Sequence, residues 1–142
     1  MKLRAHFAEY LGTALITATV IGSGIMAQDL TRDVLLQLFV NTFATVLILA
    51  LAIWLLAPVS GAYFNPAVLL VAFIRKQLSA LDLLTFTIVQ VAGAASGAIL
   101  AHALFNRALI DPSTTSRDGS WLVLSEVVAT AGLVATIFIA SN

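Results

Sequence analysis

Residues 60–68 read SGAYFNPAV and form an uncharged stretch between two strongly apolar segments. Non-helical backbone at membrane depth is tolerated only where protein buries it or where it lines a water-filled cavity. Proline suits the first position of a helix, and the chain from Pro66 is apolar until the basic pair Arg75 and Lys76. A helix over 66–75 would span about 15 Å, half of the roughly 30 Å hydrocarbon core. The stretch is therefore either a solvent loop or, as these lengths favour, a re-entrant loop, non-helical over 59–65, that leads into a half-helix.

The composition is that of a membrane protein. The chain has 142 residues, is 61% hydrophobic and has a mean hydropathy of +1.04, which is more apolar surface than a soluble domain of this length could bury. The net charge is zero, so no basic face indicates nucleic acid. The absence of cysteine excludes disulfides and thiol chemistry. No nucleophile–base pair or set of metal ligands is recognisable, so we predict neither an enzyme nor a metal or other cofactor.

Apolar runs long enough to cross a bilayer cover 5–26, 35–57, 81–105 and 121–140. The first run is too long for a signal peptide and lacks a persuasive cleavage site, so we predict that it is retained. Within the third run, Gly93 and Gly97 are spaced for close helix packing. The basic residues show a weak bias that predicts a cytoplasmic amino terminus, with Lys2, Arg4, Arg75 and Lys76 inside and Arg32, Arg107 and Arg117 outside.

The first and last apolar runs resemble each other at a constant offset of 117 positions. The matched pairs are Glu9 and Glu126, Thr13 and Thr130, Ala14 and Ala131, Ala18 and Ala135, and Thr19 and Thr136. The last run is the third span after the first, and an odd number of crossings reverses the chain direction, so the copies form an inverted repeat. This divides the chain into a first repeat at 1–106, an extracytoplasmic loop at 107–119 and the first helix of a second repeat at 120–142.

Three motifs of this sequence resemble those of the aquaporin and glycerol-facilitator family. SGAYFNPAV resembles the family's first Asn-Pro-Ala signature, AEYLGT at 8–13 its first-helix motif, and QVAGAASGA at 90–98 its third-helix motif. The resemblance implies an all-α membrane protein with an aquaporin-like fold: four transmembrane helices plus one re-entrant half-helix, as an incomplete inverted repeat. It also implies a homotetramer in the lipid bilayer of the plasma (inner) membrane, a passive channel for water and small neutral solutes.

The loop supplies the predicted pore groups. Asn65 would present two N–H donors beside the positive end of the half-helix, which starts at Pro66 and Ala67, and would bind a neutral solute and repel cations. The simpler alternative is that Asn65 only caps the half-helix. Extended backbone before Asn65 would offer a ladder of carbonyl acceptors from Gly61, Ala62, Tyr63 and Phe64.

Glu9 and Glu126 are ionisable groups inside spans, where burial without partners costs several kcal/mol. They could form a proton path, but we favour loop support, in which each carboxylate accepts hydrogen bonds from a re-entrant loop. The resemblance implies the same role, and we predict that Gln90 shares it. We expect Glu9 to be nearly inaccessible and hydrogen-bonded to backbone or polar groups of a loop or a neighbouring helix. If its loop belongs to the missing repeat, the symmetry of the repeat predicts that Glu9 is unsatisfied or protonated and that Glu126 pairs with the loop of this chain.

Thr45 occupies the place where family members usually put an aromatic ring at the outer constriction. The resemblance therefore implies a wider pore, suited to glycerol or an undissociated metalloid acid. Thr45 is placed there by counting back from Asn65 along the second span. If that count is wrong by one helical turn, Phe43 takes this place instead.

A single Asn-Pro-Ala sequence is present, and the last apolar run ends two residues before the final residue. A pore needs a second set of donors and acceptors on its opposite side. We therefore expect a fragment of a full channel. The alternatives are a non-conducting truncated product and a half-channel that pairs with a separate second half or another copy.

Overall fold

The computed structural model describes residues 2–111, 116 and 118–140, and over these residues it contains helices and no strands. The helices, in chain order, are α1 Lys2–Leu30, α2 Val34–Ser60, α3 Pro66–Ile74, α4 Ala80–Leu104 and α5 Ser120–Ala140. All except the short α3 are long and apolar enough to cross a membrane. The predicted all-α membrane fold with four spans and one half-length helix is confirmed.

The end of α2 corrects the predicted start of the non-helical stretch. We expected non-helical backbone over 59–65, but α2 includes Pro58 and continues through Ser60, so only 61–65 lie outside helices. Gly61 ends the helix with a φ of 95° and donates its N–H to the carbonyl of Ala57 at 3.0 Å. This is the left-handed glycine cap common at helix ends, and glycine adopts it without strain.

Side-chain caps begin two of the long helices. Asp33 accepts the backbone N–H groups of Leu35 and Leu36, at 2.9 and 3.2 Å, at the start of α2. Ser79 accepts the N–H of Asp82 at 3.1 Å at the start of α4. These bonds satisfy donors that have no partner within the helix, and they set where each span begins.

Helix α1 packs against both α2 and α4, and its contact with α4 is very close. A Cβ atom added at Gly93 would lie 2.4 Å from the carbonyl oxygen of Tyr10, and one at Gly97 would lie 2.2 Å from that of Ala14. The predicted packing role of the two glycines is therefore confirmed. The hydroxyl of Tyr10 also donates to Ser96 across this interface, at 2.8 Å.

Helix α5 lies at the edge of the described structure. Among the described helices it contacts only α3, and none of its residues with a described side chain is buried. The guanidinium of Arg75, just after α3, lies 4.6 Å from the ring centroid of Phe138 in α5. Between the two helices runs a groove of about 800 Å³.

We expect Gly97→Ala to destabilise the fold. The added methyl group would meet backbone rather than a movable side chain, and such overpacking costs about 1–3 kcal/mol. Gly132→Ala is the matched control, because nothing lies within 4 Å of its added Cβ and alanine favours a helix over glycine. Denaturant unfolding in detergent, followed by circular dichroism, should show a lower midpoint for Gly97→Ala alone. Equal midpoints in the two variants would contradict the close contact.

Candidate functional site

The non-helical segment 61–65 takes an unusual backbone path. Besides Gly61, both Ala62 and Phe64 have left-handed φ values, of 54° and 50°. Residues other than glycine adopt this conformation at a cost of about 1–3 kcal/mol, and it persists only where the surroundings enforce it. The surroundings of this segment therefore decide its shape.

The carboxylate of Glu9 holds the segment from the α1 side. Glu9 is completely buried. Its Oε1 accepts the hydroxyl of Ser60 at 2.6 Å and the N–H of Tyr63 at 3.0 Å. Its Oε2 accepts the N–H of Phe64 and the side-chain amide of Gln90, each at 2.8 Å. The carboxylate thus satisfies two backbone donors of the non-helical segment and joins that segment to α1, α2 and α4.

The expected burial and hydrogen bonding of Glu9 are confirmed, but our expectation that Glu126 rather than Glu9 pairs with this loop was wrong. Glu126, which we expected to pair with this loop, is exposed on α5 and forms no hydrogen bond or ion pair with another described residue. Glu9, which we expected to be unsatisfied, has the full set of donors. The symmetry of the repeat relates α1 to α5, but it does not determine which helix a loop packs against. The loop packs against α1, the first helix of its own repeat.

The opposite side of the segment is open. No described residue donates a hydrogen bond to the carbonyl oxygens of residues 61–64. A cavity of about 310 Å³ adjoins the segment and is lined by Gly61, Ala62, Tyr63, Val68, Gln77, Ile137 and Phe138. Three of the four residues predicted to form a carbonyl ladder therefore lie at one cavity. Phe64 is instead buried, and the ladder itself stays a prediction.

Asn65 combines a helix cap with a free donor. Its Oδ1 accepts the N–H of Ala67 at 2.8 Å, and its backbone carbonyl accepts the N–H of Leu69 at 3.0 Å. The simpler alternative, a cap at the start of α3, is thus present. Because Oδ1 faces the helix, the amide nitrogen Nδ2 points away from it, and no described residue accepts its hydrogens. A hydrogen-bond acceptor outside the described residues can bind these N–H groups.

Ser60 and Gly12 contribute contacts that we did not predict. The Ser60 hydroxyl donates to Glu9, and a polar residue at the last position of an apolar helix was a signal available in the sequence. The ring of Phe64 lies directly over Gly12, so that a Cβ atom there would come within 2.1 Å of the ring. Nothing in the sequence pairs Gly12 with Phe64, because the contact depends on the path of the loop.

Thr45 lies away from the non-helical segment, on the part of α2 that faces α1. Its hydroxyl donates to the carbonyl of Asn41 at 2.7 Å. The amide of Asn41 in turn donates to Val20 and Ser23 of α1, at 2.7 and 3.0 Å. Phe43, the alternative residue, is 57% exposed on a different face of α2. The constriction at Thr45 stays a prediction.

Charged groups other than the two glutamates lie toward the helix ends. Lys2 pairs with Asp82 at 3.2 Å, and Arg107 pairs with Asp29 at 2.5 Å. Within the described ranges, no three His, Asp or Glu side chains are grouped as metal ligands would be.

We expect Glu9→Gln to loosen the non-helical segment. A neutral amide accepts more weakly than a carboxylate, and its NH2 group would replace the oxygen that accepts from either Tyr63 or Phe64. Loss of a charged acceptor costs about 1.5–3 kcal/mol, so amide hydrogen exchange at these residues should accelerate about 10- to 100-fold. Mass-spectrometric exchange on the detergent-solubilised chain measures this. Glu126→Gln is the matched control and should leave exchange in the segment unchanged; a similar acceleration in both variants would contradict the assignment.

The comparisons with known proteins agree with this geometry. The family described as Major intrinsic protein matches residues 1–142. The chain is 50% identical over 134 residues to the aquaglyceroporin AqpS of Rhizobium meliloti (strain 1021), a match that covers 94% of this chain and 58% of that protein. It is 34% identical over 98 residues to the propanediol uptake facilitator PduF of Citrobacter freundii, covering 69% of this chain and 36% of that protein.

A more distant relative also matches nearly all of this chain but only about half of its own length. Aquaporin-5 of Ovis aries is 26% identical over 146 aligned positions, which cover 96% of this chain and 52% of that protein. The chain therefore spans less than two thirds of each of these three relatives. Its four candidate spans and the match along its whole length make it a multi-pass membrane protein. The chain belongs to the major intrinsic protein family, as its three motifs predicted.

Proposed function

We propose that this chain forms one half of a passive membrane channel for small neutral solutes. The observation that carries the proposal is the segment 61–65, in which Tyr63 and Phe64 donate their N–H groups to Glu9 while residues 61–63 line a cavity of about 310 Å³. Irregular backbone at membrane depth is stable only where protein or a water-filled cavity surrounds it. Protein surrounds the segment on the side of Glu9, and we propose that water fills the cavity on the other side.

The polar groups of this segment suit a neutral solute that both donates and accepts hydrogen bonds. The carbonyl oxygens of residues 61–64 would accept from a water molecule or a hydroxyl group, and Nδ2 of Asn65 would donate to its oxygen. The same amide lies at the start of α3, where the helix dipole is positive and disfavours cations. No bond is made or broken in this function, so we propose a channel rather than an enzyme.

We propose that the solute is a small polyol such as glycerol, with water as the smaller alternative. The names of two relatives, an aquaglyceroporin and a propanediol uptake facilitator, support this class of solute. The predicted place of Thr45 in the outer constriction supports it too, since a threonine there would leave more room than a ring. An undissociated metalloid acid of similar size is a further candidate solute.

The groove between α3 and α5 supports the need for a second half. Glu126 lines this groove together with Ala67 and Thr130, and no described residue donates to its carboxylate. The repeat makes Glu126 the counterpart of Glu9, which is satisfied by backbone N–H groups of a loop. We propose that a second loop of the same kind, on a segment outside the described residues or on another chain, supplies donors to Glu126 and completes the pore. A non-conducting product is the alternative.

We further propose a plasma (inner) membrane location with the amino terminus in the cytoplasm, and a tetrameric assembly. The weak excess of basic residues at the end that carries Lys2 and Arg4 supports the orientation. The tetrameric assembly and the plasma (inner) membrane location are both proposed from the resemblance to the family.

Liposome swelling tests the half-channel directly. We expect the 142-residue chain alone to pass little glycerol or water, because one loop provides one set of donors and acceptors. Joining it to the remainder of the Rhizobium meliloti relative, which the chain does not cover, should restore flux. The same chimera with Glu9→Gln should be impaired. Rapid flux through the 142-residue chain alone would contradict the need for a separate second half and favour a half-channel that pairs with another copy of this chain. A correctly folded but inactive chimera would contradict the channel.

Within the conducting chimera, Thr45→Phe should reduce glycerol flux about tenfold or more and water flux far less. A ring would fill space that threonine leaves open, and pore diameter sets the size limit for solutes. Phe43→Thr is the control at the neighbouring exposed position and should change neither flux. Light-scattering measurements with the two solutes give the ratio; an unchanged ratio in Thr45→Phe would show that Thr45 does not face the pore.

A further inference from the structure

The cavity beside the segment 61–65 has two aromatic side chains in its wall. Tyr63 lines it from the segment and Phe138 lines it from α5. Both residues are half-buried. The channel function proposed above uses backbone groups of the segment and neither of these side chains.

The Tyr63 ring is held by its own loop and by α4. A Cβ atom placed on Gly61 would come within 2.8 Å of the ring, so the ring lies directly over this glycine. Phe86 of α4 packs beside it, with 6.4 Å between the two ring centroids. The hydroxyl group of Tyr63 forms no hydrogen bond with another described residue. Tyr63 therefore forms a wall of the cavity and keeps a polar group free.

The Phe138 ring is held by a cation. The guanidinium carbon of Arg75 lies 4.6 Å from the centroid of this ring, within the distance at which a cation is attracted to an aromatic face. Helix α5 contacts only α3 among the described helices, and none of its residues with a described side chain is buried. Arg75 therefore helps to fix a ring whose own helix is loosely packed.

A polar side chain lies at the same cavity. Gln77 lines it and is exposed just beyond the end of α3. Its backbone N–H donates to the carbonyl of Ala72 at 2.9 Å, while its side-chain amide forms no hydrogen bond with another described residue. The amide offers a donor and an acceptor, and a hydroxyl group can bind to both.

On the proposed topology these groups lie at the mouth of the pathway. The chain leaves α2 at Ser60, runs into the membrane to Asn65 and returns along α3 to Arg75. From Asn65 to Arg75 a helix rises about 15 Å, half of the hydrocarbon core. Gln77 therefore lies near the membrane surface, at the end of the spans that carries Lys2.

We propose that Tyr63 and Phe138 form a size filter at this inner mouth, and that Gln77 binds the solute there. The proposal rests on the channel function proposed above and adds the residues that choose among polyols. A narrow polyol passes between the two rings, and its hydroxyl groups exchange water for the Gln77 amide and the Tyr63 hydroxyl. Arg75 is a positioning residue, because it acts on the solute only through the Phe138 ring.

Liposome swelling with the chimera described above tests the filter, with glycerol and the bulkier branched polyol pentaerythritol as solutes. Phe138→Ala should raise the pentaerythritol-to-glycerol flux ratio about tenfold, because the pathway is wider without the ring. Phe138→Trp should lower glycerol flux more than water flux, a change in the opposite direction. Ile139→Ala is the matched control, since it shortens the neighbouring exposed residue of α5, and it should leave the ratio unchanged.

The roles of Arg75 and Gln77 are tested in the same chimera. Arg75→Gln should raise the flux ratio about two- to fivefold, since the ring loses its cation, and the neighbouring Lys76→Gln should not. In a Phe138→Ala background, Arg75→Gln should have no further effect, and an equal effect in both backgrounds would contradict the positioning role. Gln77→Leu should reduce glycerol flux more than water flux, because it removes the amide; equal reduction of both would contradict solute binding.

Thiol labelling tests the filter without transport. The chain has no cysteine, so Val68→Cys places a single thiol at the cavity, at a position that is 2% exposed. A water-soluble maleimide should modify this thiol several-fold faster in Phe138→Ala and at an unchanged rate in Ile139→Ala. Ala72→Cys, buried in α3 outside the cavity lining, should stay slow in both.

The two measurements separate the filter from the channel function. An unchanged flux ratio in Phe138→Ala, in a chimera that passes glycerol, would overturn the filter and leave the channel function standing. A chimera that passes no glycerol would contradict the channel function, and labelling of Val68→Cys then decides the filter. Faster labelling in Phe138→Ala would still support the ring as the barrier at this mouth, and unchanged labelling would overturn it.

Discussion

The bonding of the Glu9 carboxylate is the constraint on which the rest of the site depends. A backbone N–H left without a partner at membrane depth costs several kcal/mol, so the segment 61–65 can leave the helix only if its donors are satisfied. Glu9 accepts two of them, from Tyr63 and Phe64. Gly61, Ala62 and Tyr63 of the same segment also line a cavity. The buried carboxylate thus helps to set the backbone path of the residues at that cavity.

The close packing of α1 and α4 makes this bonding possible. Gly93 and Gly97 let α4 approach the backbone of α1, and this brings the amide of Gln90 within 2.8 Å of Glu9. On α1 itself, Gly12 leaves room for the ring of Phe64, which becomes buried when its N–H reaches the carboxylate. The helix packing and the shape of the segment therefore depend on each other, because the small residues allow the contacts through which Glu9 binds the segment.

The sequence predicted what depends on local pattern. Apolar length gave the four spans, and the proline at 66 followed by an apolar run gave the half-length helix α3 within one residue. The sequence did not predict the contacts that depend on the path of the loop. Pro58 did not end α2, since the helix continues to the glycine cap at Gly61. The partner of the loop was also misjudged, because Glu9 and Glu126 look alike in sequence and differ only in what packs beside them.

That difference between two equivalent glutamates carries the argument for a second half. Both occupy matching positions of the inverted repeat predicted from the sequence, and both lie in helices apolar enough to span a membrane. Glu9 receives donors from Ser60, Gln90 and two backbone N–H groups, while Glu126 receives none from the described residues. A carboxylate in a span that gains no donors costs several kcal/mol, a cost that the fold around Glu9 avoids. Water in the groove beside α3 would lessen this cost, but a loop would remove it in the way already seen at Glu9. The groove of about 800 Å³, open along Glu126 and Thr130, has the room for such a loop.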